Sequence, residues 1–355
     1  MSSPGKHVLV VKLTSMGDLV QALPALTDAA RAMPGIAFDW VVDEAFAEVP
    51  QWHPAVRRVI RTAHRRWRKA ELFGGGELRA FLRDLRSERY DAVIDTQTNL
   101  KSALVTALAR GPRHGPDRAS VREKPAHWAY RHHYAIPRDQ LAIDRWRQLY
   151  AKVLDYPLPA TAPDFGLGDR AWPEPAELPG RPFLVFVTNA SWDNKYWTVP
   201  HWRTVIGCAA ARGFEVLLTW GSEQERQRTE ALAAGLDNAR LLPRMGLTDL
   251  AGILVRSAGA ICMDTGLAHV AAALDVPTVT LYGPTSPALI GATGGRSRHI
   301  VASGFPCIPC YRRDCRVPGY QGPEAQCLKA VAPQRVWDEF LLLTGGGAGV
   351  GDAFR

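Results

Sequence analysis

No stretch of this 355-residue chain reaches about 18 consecutive apolar residues, so no membrane-crossing helix is expected. The opening segment, Met1 to Lys6, lacks the apolar core of a secretory signal and leads straight into a strand, which predicts a cytoplasmic protein. There is no G-x-G-x-x-G fingerprint of dinucleotide folds and no G-K-[ST] phosphate loop. Helix-turn-helix, zinc-finger and RNA-recognition signatures are missing as well, so no nucleic-acid partner is expected. Cysteine is scarce. Of six, four (Cys307, Cys310, Cys315 and Cys327) crowd one short segment. Cys208 and Cys262 sit in apolar surroundings and read as core residues.

What is present describes a globular α/β protein. The apolar fraction is an ordinary 46%, and the length allows two domains, each with its own core. The net charge of +8 is unevenly spread. Arg57, Arg58, Arg61, Arg65, Arg66, Arg68 and Lys69 form one basic stretch, with His64 and Trp67 among them. Arg113, Arg118, Arg122, Lys124 and Arg131 form a second, interleaved with His127, Trp128, His132 and His133. Such stretches suit an anionic partner, either nucleic acid or an acidic glycolipid at a membrane surface; the plain alternative is a solvated basic face.

Strand-like runs at His7–Val11, Phe38–Val42 and Ala92–Ile94 alternate with helical patterns such as Ser102–Arg110 and Asp144–Leu154. A proline-rich passage follows, and the alternation then resumes. Phe183–Val187, Glu215–Thr219, Ala260–Met263 and Thr278–Leu281 read as strands. His201–Arg212, Glu223–Ala234 and Leu247–Arg256 read as helices. This predicts two Rossmann-like units with parallel sheets facing across a cleft, over residues 1–160 and 183–330, joined by a linker at 161–182. A C-terminal helix is expected at 331–343 and a flexible tail at 344–355.

Three turns carry candidate chemistry. Lys12-Leu13-Thr14-Ser15-Met16-Gly17-Asp18 leaves the first strand, where open α/β sheets bind ligands. Asp18 supplies a carboxylate that can act as a base, or simply an N-cap together with Ser15. Thr188 to Trp197 leaves the first strand of the second unit, with Lys195 as a point charge for a phosphate or as an ordinary loop lysine. Asp264-Thr265-Gly266-Leu267-Ala268-His269 lies between a strand and a helix and offers a carboxylate, a hydroxyl and backbone N–H groups. There too a plain helix cap is the alternative. Glu225 can reach a ribose hydroxyl or favour the start of its own helix.

Together these segments resemble the glycosyltransferase family 9 heptosyltransferases. The likeness rests on Ser15-Met16-Gly17-Asp18, Leu23-Pro24-Ala25-Leu26, Arg65-Arg66-Trp67-Arg68-Lys69, Tyr90-Asp91-Ala92-Val93-Ile94-Asp95, Lys195 with Trp197, Asp264-Thr265-Gly266-Leu267 with His269, and Tyr282-Gly283-Pro284-Thr285. It implies a GT-B fold and the inverting transfer of L-glycero-D-manno-heptose from ADP-heptose to Kdo of the lipopolysaccharide inner core. It implies an acceptor-binding N-terminal domain and an ADP-sugar-binding C-terminal domain; the two-domain layout in turn predicts closure on donor and acceptor binding. By position, Asp18 resembles the general base and Lys195 the group that stabilises the leaving diphosphate. Thr188, Ser191, Glu225, Met245, Asp264, Thr265, Gly266 and His269 resemble donor contacts. Arg65, Arg66, Lys101 and Arg122 resemble the basic groups that hold the anionic acceptor, Kdo-lipid A. The resemblance implies no metal for catalysis, a monomer, and peripheral association with the cytoplasmic face of the inner membrane.

Two departures stand out. Where first-heptose members of the family commonly carry paired threonines, this chain has Ala190 and Ser191, which moves a donor hydroxyl contact to Thr188 or removes it. The Cys307-Ile308-Pro309-Cys310, Cys315, Cys327 pattern resembles members that add a second heptose or modify autotransporter proteins, and it keeps those acceptors open as an alternative. Its spacing suits a structural zinc or iron site.

Overall fold

The computed structural model describes residues 5–69, 76–320, 322 and 324–345. The side chains of Arg65, Arg68 and Lys69, and residues 346–355 of the expected tail, lie outside the described residues. The chain forms two compact units, divided between Arg170 and Ala171. That division falls inside the proline-rich passage.

The first unit is built on β1 (His7–Val11), β2 (Ala37–Asp43), β3 (Val56–Thr62), β4 (Ala92–Asp95), β5 (Arg113–Pro116) and β6 (His132–Tyr134). Their order is β3-β2-β1-β4-β5-β6, with every neighbouring pair parallel. The second is built on β7 (Phe183–Val187), β8 (Glu215–Leu218), β9 (Ala239–Leu241), β10 (Gly259–Met263), β11 (Thr278–Tyr282) and β12 (Ser297–Val301). Its order, β12-β11-β10-β7-β8-β9, repeats the same winding. In each unit the order reverses beside the first strand, between β1 and β4 and between β7 and β10. In doubly wound sheets that reversal opens a crevice at the strands' carboxyl ends.

The central strands are the ones the apolar runs predict, because helices cover both faces of a parallel sheet. Val8 to Val11 and the whole of β7 are buried. The strands that the apolar pattern misses are polar or interrupted: β3 carries Arg57, Arg58 and Arg61, β5 contains Gly115 and Pro116, β6 is His-His-Tyr, and β9 and β12 are short and half-exposed. Four of these, β3, β6, β9 and β12, are edge strands with many exposed side chains, so their apolar signal is weak; β5 is interior and buried, and is missed because Arg-His-Gly-Pro has no apolar run. The expected Ser102–Arg110 helix starts earlier, at Leu100–Leu108, because Asn99 caps it by accepting the Ser102 N–H at 3.0 Å.

Part of the first basic stretch needs correction as an anion-binding surface. Arg57 and Arg58 both bind the buried Asp39 carboxylate, at 3.0 and 2.9 Å. Arg57 also reaches Glu88 at 2.7 Å and Arg58 reaches Asp84 at 2.9 Å. These guanidiniums balance acidic groups at the start of the sheet and hold Asp39 below the usual carboxylate range, against the opposing effect of burial.

The proline-rich passage is anchored within each unit. Phe165 and Leu167 are buried, and Arg256 holds the Pro173 carbonyl at 2.9 Å. Gly166 has φ +67, and a side chain there would meet His53 Nε2 at 2.7 Å. His53 Nδ1 accepts the Ala55 N–H at 3.2 Å, which leaves Nε2–H to donate to Thr27 Oγ1 at 2.9 Å. Burial pushes the His53 pKa down to about 4. The folded value lies below the unfolded value of about 6.5, so the unfolded chain takes up the proton first. The His53 contribution to stability is complete above about pH 6.5 and is lost as pH falls towards 4, by about 2 kcal/mol between pH 7 and pH 5. His53→Gln is therefore expected to flatten the acid limb of a melting-temperature profile; an unchanged slope would remove His53 as its source.

Candidate functional site

In the first unit, the loop Lys12–Ser15 leaves β1 and opens the helix Met16–Val20. Asp18 Oδ2 accepts both the N–H of Ser15, at 3.0 Å, and its hydroxyl, at 2.6 Å. One oxygen therefore does the capping that the local sequence suggests. The other, Oδ1, stands 3.7 Å from Lys12 Nζ, and the Asp18 side chain is 39% exposed. Lys12 is buried; it donates to the Thr96 carbonyl at 3.0 Å and lies 4.8 Å over the Trp146 ring. Burial lowers its pKa, and the Asp18 charge opposes that shift. A carboxylate held on one oxygen, facing a buried ammonium with the other and open to solvent on one side is a preorganised proton acceptor.

The turn after β4 braces this loop. Gln97 Oε1 accepts the N–H groups of Leu13 and Thr14, each at 3.2 Å. Buried Asp95 accepts the Gln97 and Thr98 N–H groups at 2.8 Å, the Ser102 hydroxyl at 2.8 Å and the Tyr130 hydroxyl at 2.9 Å. Burial raises the Asp95 pKa against those hydrogen bonds. Arg122 is joined to the same turn, its N–H donating to Thr98 Oγ1 at 3.0 Å, and its exposed side chain acts electrostatically on Lys12. Lys101 is exposed near the start of the next helix and, after burial, is the largest influence lowering the His64 pKa. Arg66 is already matched by Glu44, at 3.1 Å, and Glu77, at 2.5 Å. Arg65 lies on the same short helix, with its side chain outside the described residues. Arg66, Lys101 and Arg122 follow β3, β4 and β5, so all stand at the carboxyl edge of one sheet.

Two cations to which the linear sequence assigns no role belong to this site. Lys12 is one. Arg145 is the other: its guanidinium lies 4.9 Å over the Trp146 ring, and burial, then the like charge of Arg138, lowers its pKa to about 10 while Asp18 opposes the shift. Lysine directly after the first strand is the signal that could have found Lys12. Arg145 sits within a helix whose pattern marks only its apolar side.

In the second unit, the loops after β7 and β10 flank the sheet's reversal. Lys195 Nζ binds Asp264 Oδ2 at 2.5 Å and lies 4.7 Å over Trp192. Thr285 Oγ1 donates to the same Asp264 oxygen at 2.5 Å. Lys195 and Asp264 are both buried. Three turns from three strands thus meet at one carboxylate. Thr265 occupies the N-cap position of the helix Gly266–Ala273, yet its side chain makes no capping bond. The Thr188 and Thr265 hydroxyls and Asn189 Oδ1 are buried without a hydrogen-bond partner. Buried polar atoms are nearly always paired, so this orphan set beside the Lys195–Asp264 pair marks a place for a polar ligand.

The other predicted donor residues are spread around it. His269 is buried within the Gly266–Ala273 helix, and Ser191 is exposed on the lysine loop. Glu225 Oε2 accepts the Gly221 N–H at 2.7 Å, so that oxygen serves its own helix start. Met245 lines a cavity of about 380 Å³ with Leu242, Pro243 and Ile253.

The cysteine segment lies against the lysine loop. Asn194 Nδ2 donates to the Arg312 carbonyl at 2.7 Å, and the Tyr311 N–H donates to the Pro284 carbonyl at 2.8 Å. All four of its cysteines are free thiols, and Cys327 is buried. Burial, with Cys315, Cys307 and Cys310 adding to it, pushes the Cys327 thiol up to about 11.

A sequence profile of glycosyltransferase family 9 (heptosyltransferase) matches residues 78–321. The chain is 47% identical over 345 residues to lipopolysaccharide heptosyltransferase 1 of Pseudomonas aeruginosa, covering 93% of this chain and 96% of that protein. Among solved structures it resembles E. coli heptosyltransferase WaaC with ADP, with a TM-score of 0.82 and 38% identity over 95% of this chain and 99% of that one. It resembles the same protein with ADP-2-deoxy-2-fluoro heptose at a TM-score of 0.78 and 38% identity, over 94% and 98%.

Proposed function

The chain belongs to glycosyltransferase family 9, the heptosyltransferases, and on that premise we propose that it transfers L-glycero-D-manno-heptose from ADP-heptose to Kdo of the lipopolysaccharide inner core. The fold is GT-B and the protein is an enzyme. The observation that carries the donor assignment is the Lys195–Asp264–Thr285 cluster with the orphaned Thr188 and Thr265 hydroxyls beside it.

In the reaction, the acceptor hydroxyl oxygen bonds to the anomeric carbon while the bond from that carbon to the diphosphate breaks. ADP leaves with the electron pair, and attack from the opposite face inverts the configuration. Asp18 takes the hydroxyl proton. Lys195 neutralises the charge that grows on the diphosphate. Thr188, Thr265 and the first N–H groups of the Gly266–Ala273 helix hold its oxygens. His269 and Ser191 complete the donor site, Glu225 takes a ribose hydroxyl with its remaining oxygen, and the base enters the cavity beside Met245. Lys101, Arg122 and Arg65 hold the acidic acceptor. Arg66 joins once the acceptor displaces its carboxylate partners.

ADP release from ADP-heptose should require Kdo-lipid A and should not occur with an already heptosylated core. Turnover only on the heptosylated core, or only on an autotransporter protein, overturns the Kdo assignment. The protein acts as a monomer peripheral to the inner membrane, and no described helix is long and apolar enough to cross a membrane.

The cysteine segment has a structural part in this reading. Cys307, Cys310, Cys315 and Cys327 would hold zinc or iron, and thiolates suit either metal. The support is four free thiols, three of which act on the buried fourth. No three of their sulfur atoms lie within 4.8 Å of one another in this structure, so binding an ion would draw them closer. Among the described residues the one group of three candidate ligand atoms within 4.8 Å of one another is His7, Asp39 and Glu88, and arginines already neutralise that group. Because this segment holds Asn194, an ion there would stiffen the loop that presents Lys195. Purified protein should carry about one equivalent of metal, and Cys310→Ser should lower both metal content and affinity for ADP. Metal-free protein with unchanged ADP affinity after chelation would reject the site.

A further inference from the structure

We infer that the helix Leu100–Leu108 and the neighbouring turn Lys124–Ala129 form a docking surface for an anionic phospholipid bilayer. Ser102, Ala103, Val105 and Thr106 bury one side of that helix, while Leu100 and Leu104, one turn apart on another side, are 54% and 61% exposed. In the turn, Ala126 is fully buried and Trp128 is 79% exposed. The two elements pack together, and the Leu100 N–H donates to Glu123 Oε2 at 2.9 Å. Three of the seven large apolar side chains most exposed among the described residues therefore fall on two adjoining elements. A stable soluble surface has no use for such a concentration.

Charge identifies the occupant. Lys101, Arg118, Arg122, Lys124 and Arg131, on or next in sequence to these two elements, are all exposed. Between residues 118 and 131 the single acidic group is Glu123, whose Oε2 is taken by the Leu100 N–H. Exposed leucines and a tryptophan on elements that also expose lysine and arginine match the boundary of an anionic leaflet. The apolar groups enter the acyl region, the indole sits at the headgroups, and the cations meet the phosphates. A protein partner of ordinary composition would not call for five cations around three apolar side chains.

The surface also adjoins the chemistry. Arg122 is fastened to Thr98 and acts on Lys12, whose ammonium is 3.7 Å from Asp18. A bilayer against Leu100, Leu104 and Trp128 thus meets the same sheet end that carries the proposed base. In this the inference rests on the proposed lipid-linked acceptor, although exposure and charge carry the surface itself.

The test is flotation of the full chain with vesicles of phosphatidylethanolamine and phosphatidylglycerol, containing no sugar lipid, against phosphatidylcholine vesicles. Turnover of a soluble, deacylated Kdo acceptor is measured in parallel. The wild-type chain should bind the anionic vesicles, less so as salt rises. Trp128→Ser, and separately Leu100→Ser with Leu104→Ser, should each lower partitioning about tenfold or more while leaving soluble-acceptor turnover and melting temperature unchanged. Since these side chains are exposed, the variants should fold; Lys124→Glu is an independent probe of the charge and should weaken binding as well. Wild-type protein that ignores anionic vesicles, or variants that bind them equally, overturns the surface. Vesicle binding without turnover of any Kdo acceptor leaves the surface standing and overturns the proposed function instead.

Discussion

Replacing Asp18 by Asn should lower kcat by about 10²- to 10⁴-fold while leaving the affinity for ADP-heptose nearly unchanged. The expectation follows from how the carboxylate is held. Its Oδ2 accepts two hydrogen bonds from Ser15, and an amide oxygen can accept the same two, so the turn and the start of the Met16–Val20 helix survive the change. What disappears is the negative charge, and with it the capacity to take a proton. Lys12 feels the loss too. Burial lowers its pKa and Asp18 raises it, so without Asp18 the ammonium is easier to deprotonate, yet it keeps its bond to the Thr96 carbonyl and its place over Trp146. Stability should therefore change by no more than about 1 kcal/mol, the scale of a weakened cap. Asp18→Glu retains the charge but moves it outward by one methylene, so activity should fall again, by up to about 100-fold, through misplacement alone. Steady-state kinetics with both substrates, beside thermal melts, separates these outcomes. Turnover by the Asp18→Asn variant at close to the wild-type rate would remove Asp18 as the base.

Much of this arrangement is legible in the sequence alone. The apolar runs of β1, β2, β4, β7, β8, β10 and β11 identify central parallel strands, and two such sets imply two doubly wound units. The residues after β1, β7 and β10 are then automatically at carboxyl ends, where Asp18, Lys195 and Asp264 do stand. The polar edge strands are not legible, since their few buried side chains leave no pattern, and neither is the interior β5, whose Arg-His-Gly-Pro carries no apolar run. Neither is charge pairing across long separations. Arg57 and Arg58 read like Arg122 in a linear chain, and only the fold brings Asp39, Asp84 and Glu88 to the first two. Burial is hidden in the same way. Lys12 and Arg145 are ordinary letters until Trp146 is placed beneath both. At Thr265 the sequence allows a cap or a ligand contact, and the structure withholds the capping bond and leaves the hydroxyl without a partner.

The Lys195–Asp264 pair carries the other large expectation, because two separable losses should appear together when it is broken. Lys195→Ala leaves the Asp264 carboxylate buried, with the Thr285 hydroxyl still donating to it. Removing one member of a buried ion pair costs about 3–5 kcal/mol, since the remaining charge stays out of water. In a unit of this size each kcal/mol is worth about 2–4 °C, so a fall of about 6–20 °C in melting temperature is expected. Turnover should fall by about 10²- to 10³-fold, the usual effect of deleting a group that meets charge developing in the transition state. A lower melting temperature could by itself reduce activity, so the decisive variant replaces both members, Lys195→Met with Asp264→Leu. Apolar groups of similar volume can recover the stability of a buried pair, because the desolvation cost vanishes with the charges. They cannot neutralise a diphosphate. A double variant that melts near the wild-type temperature and still fails to release ADP separates the chemistry from the stability and assigns the charged pair to turnover; Asp264→Leu alone, if it still releases ADP, then assigns the ammonium. If the double variant regains turnover along with stability, Lys195 is a structural lysine, and the leaving group must be met by the helix N-terminus and its neighbouring hydroxyls alone.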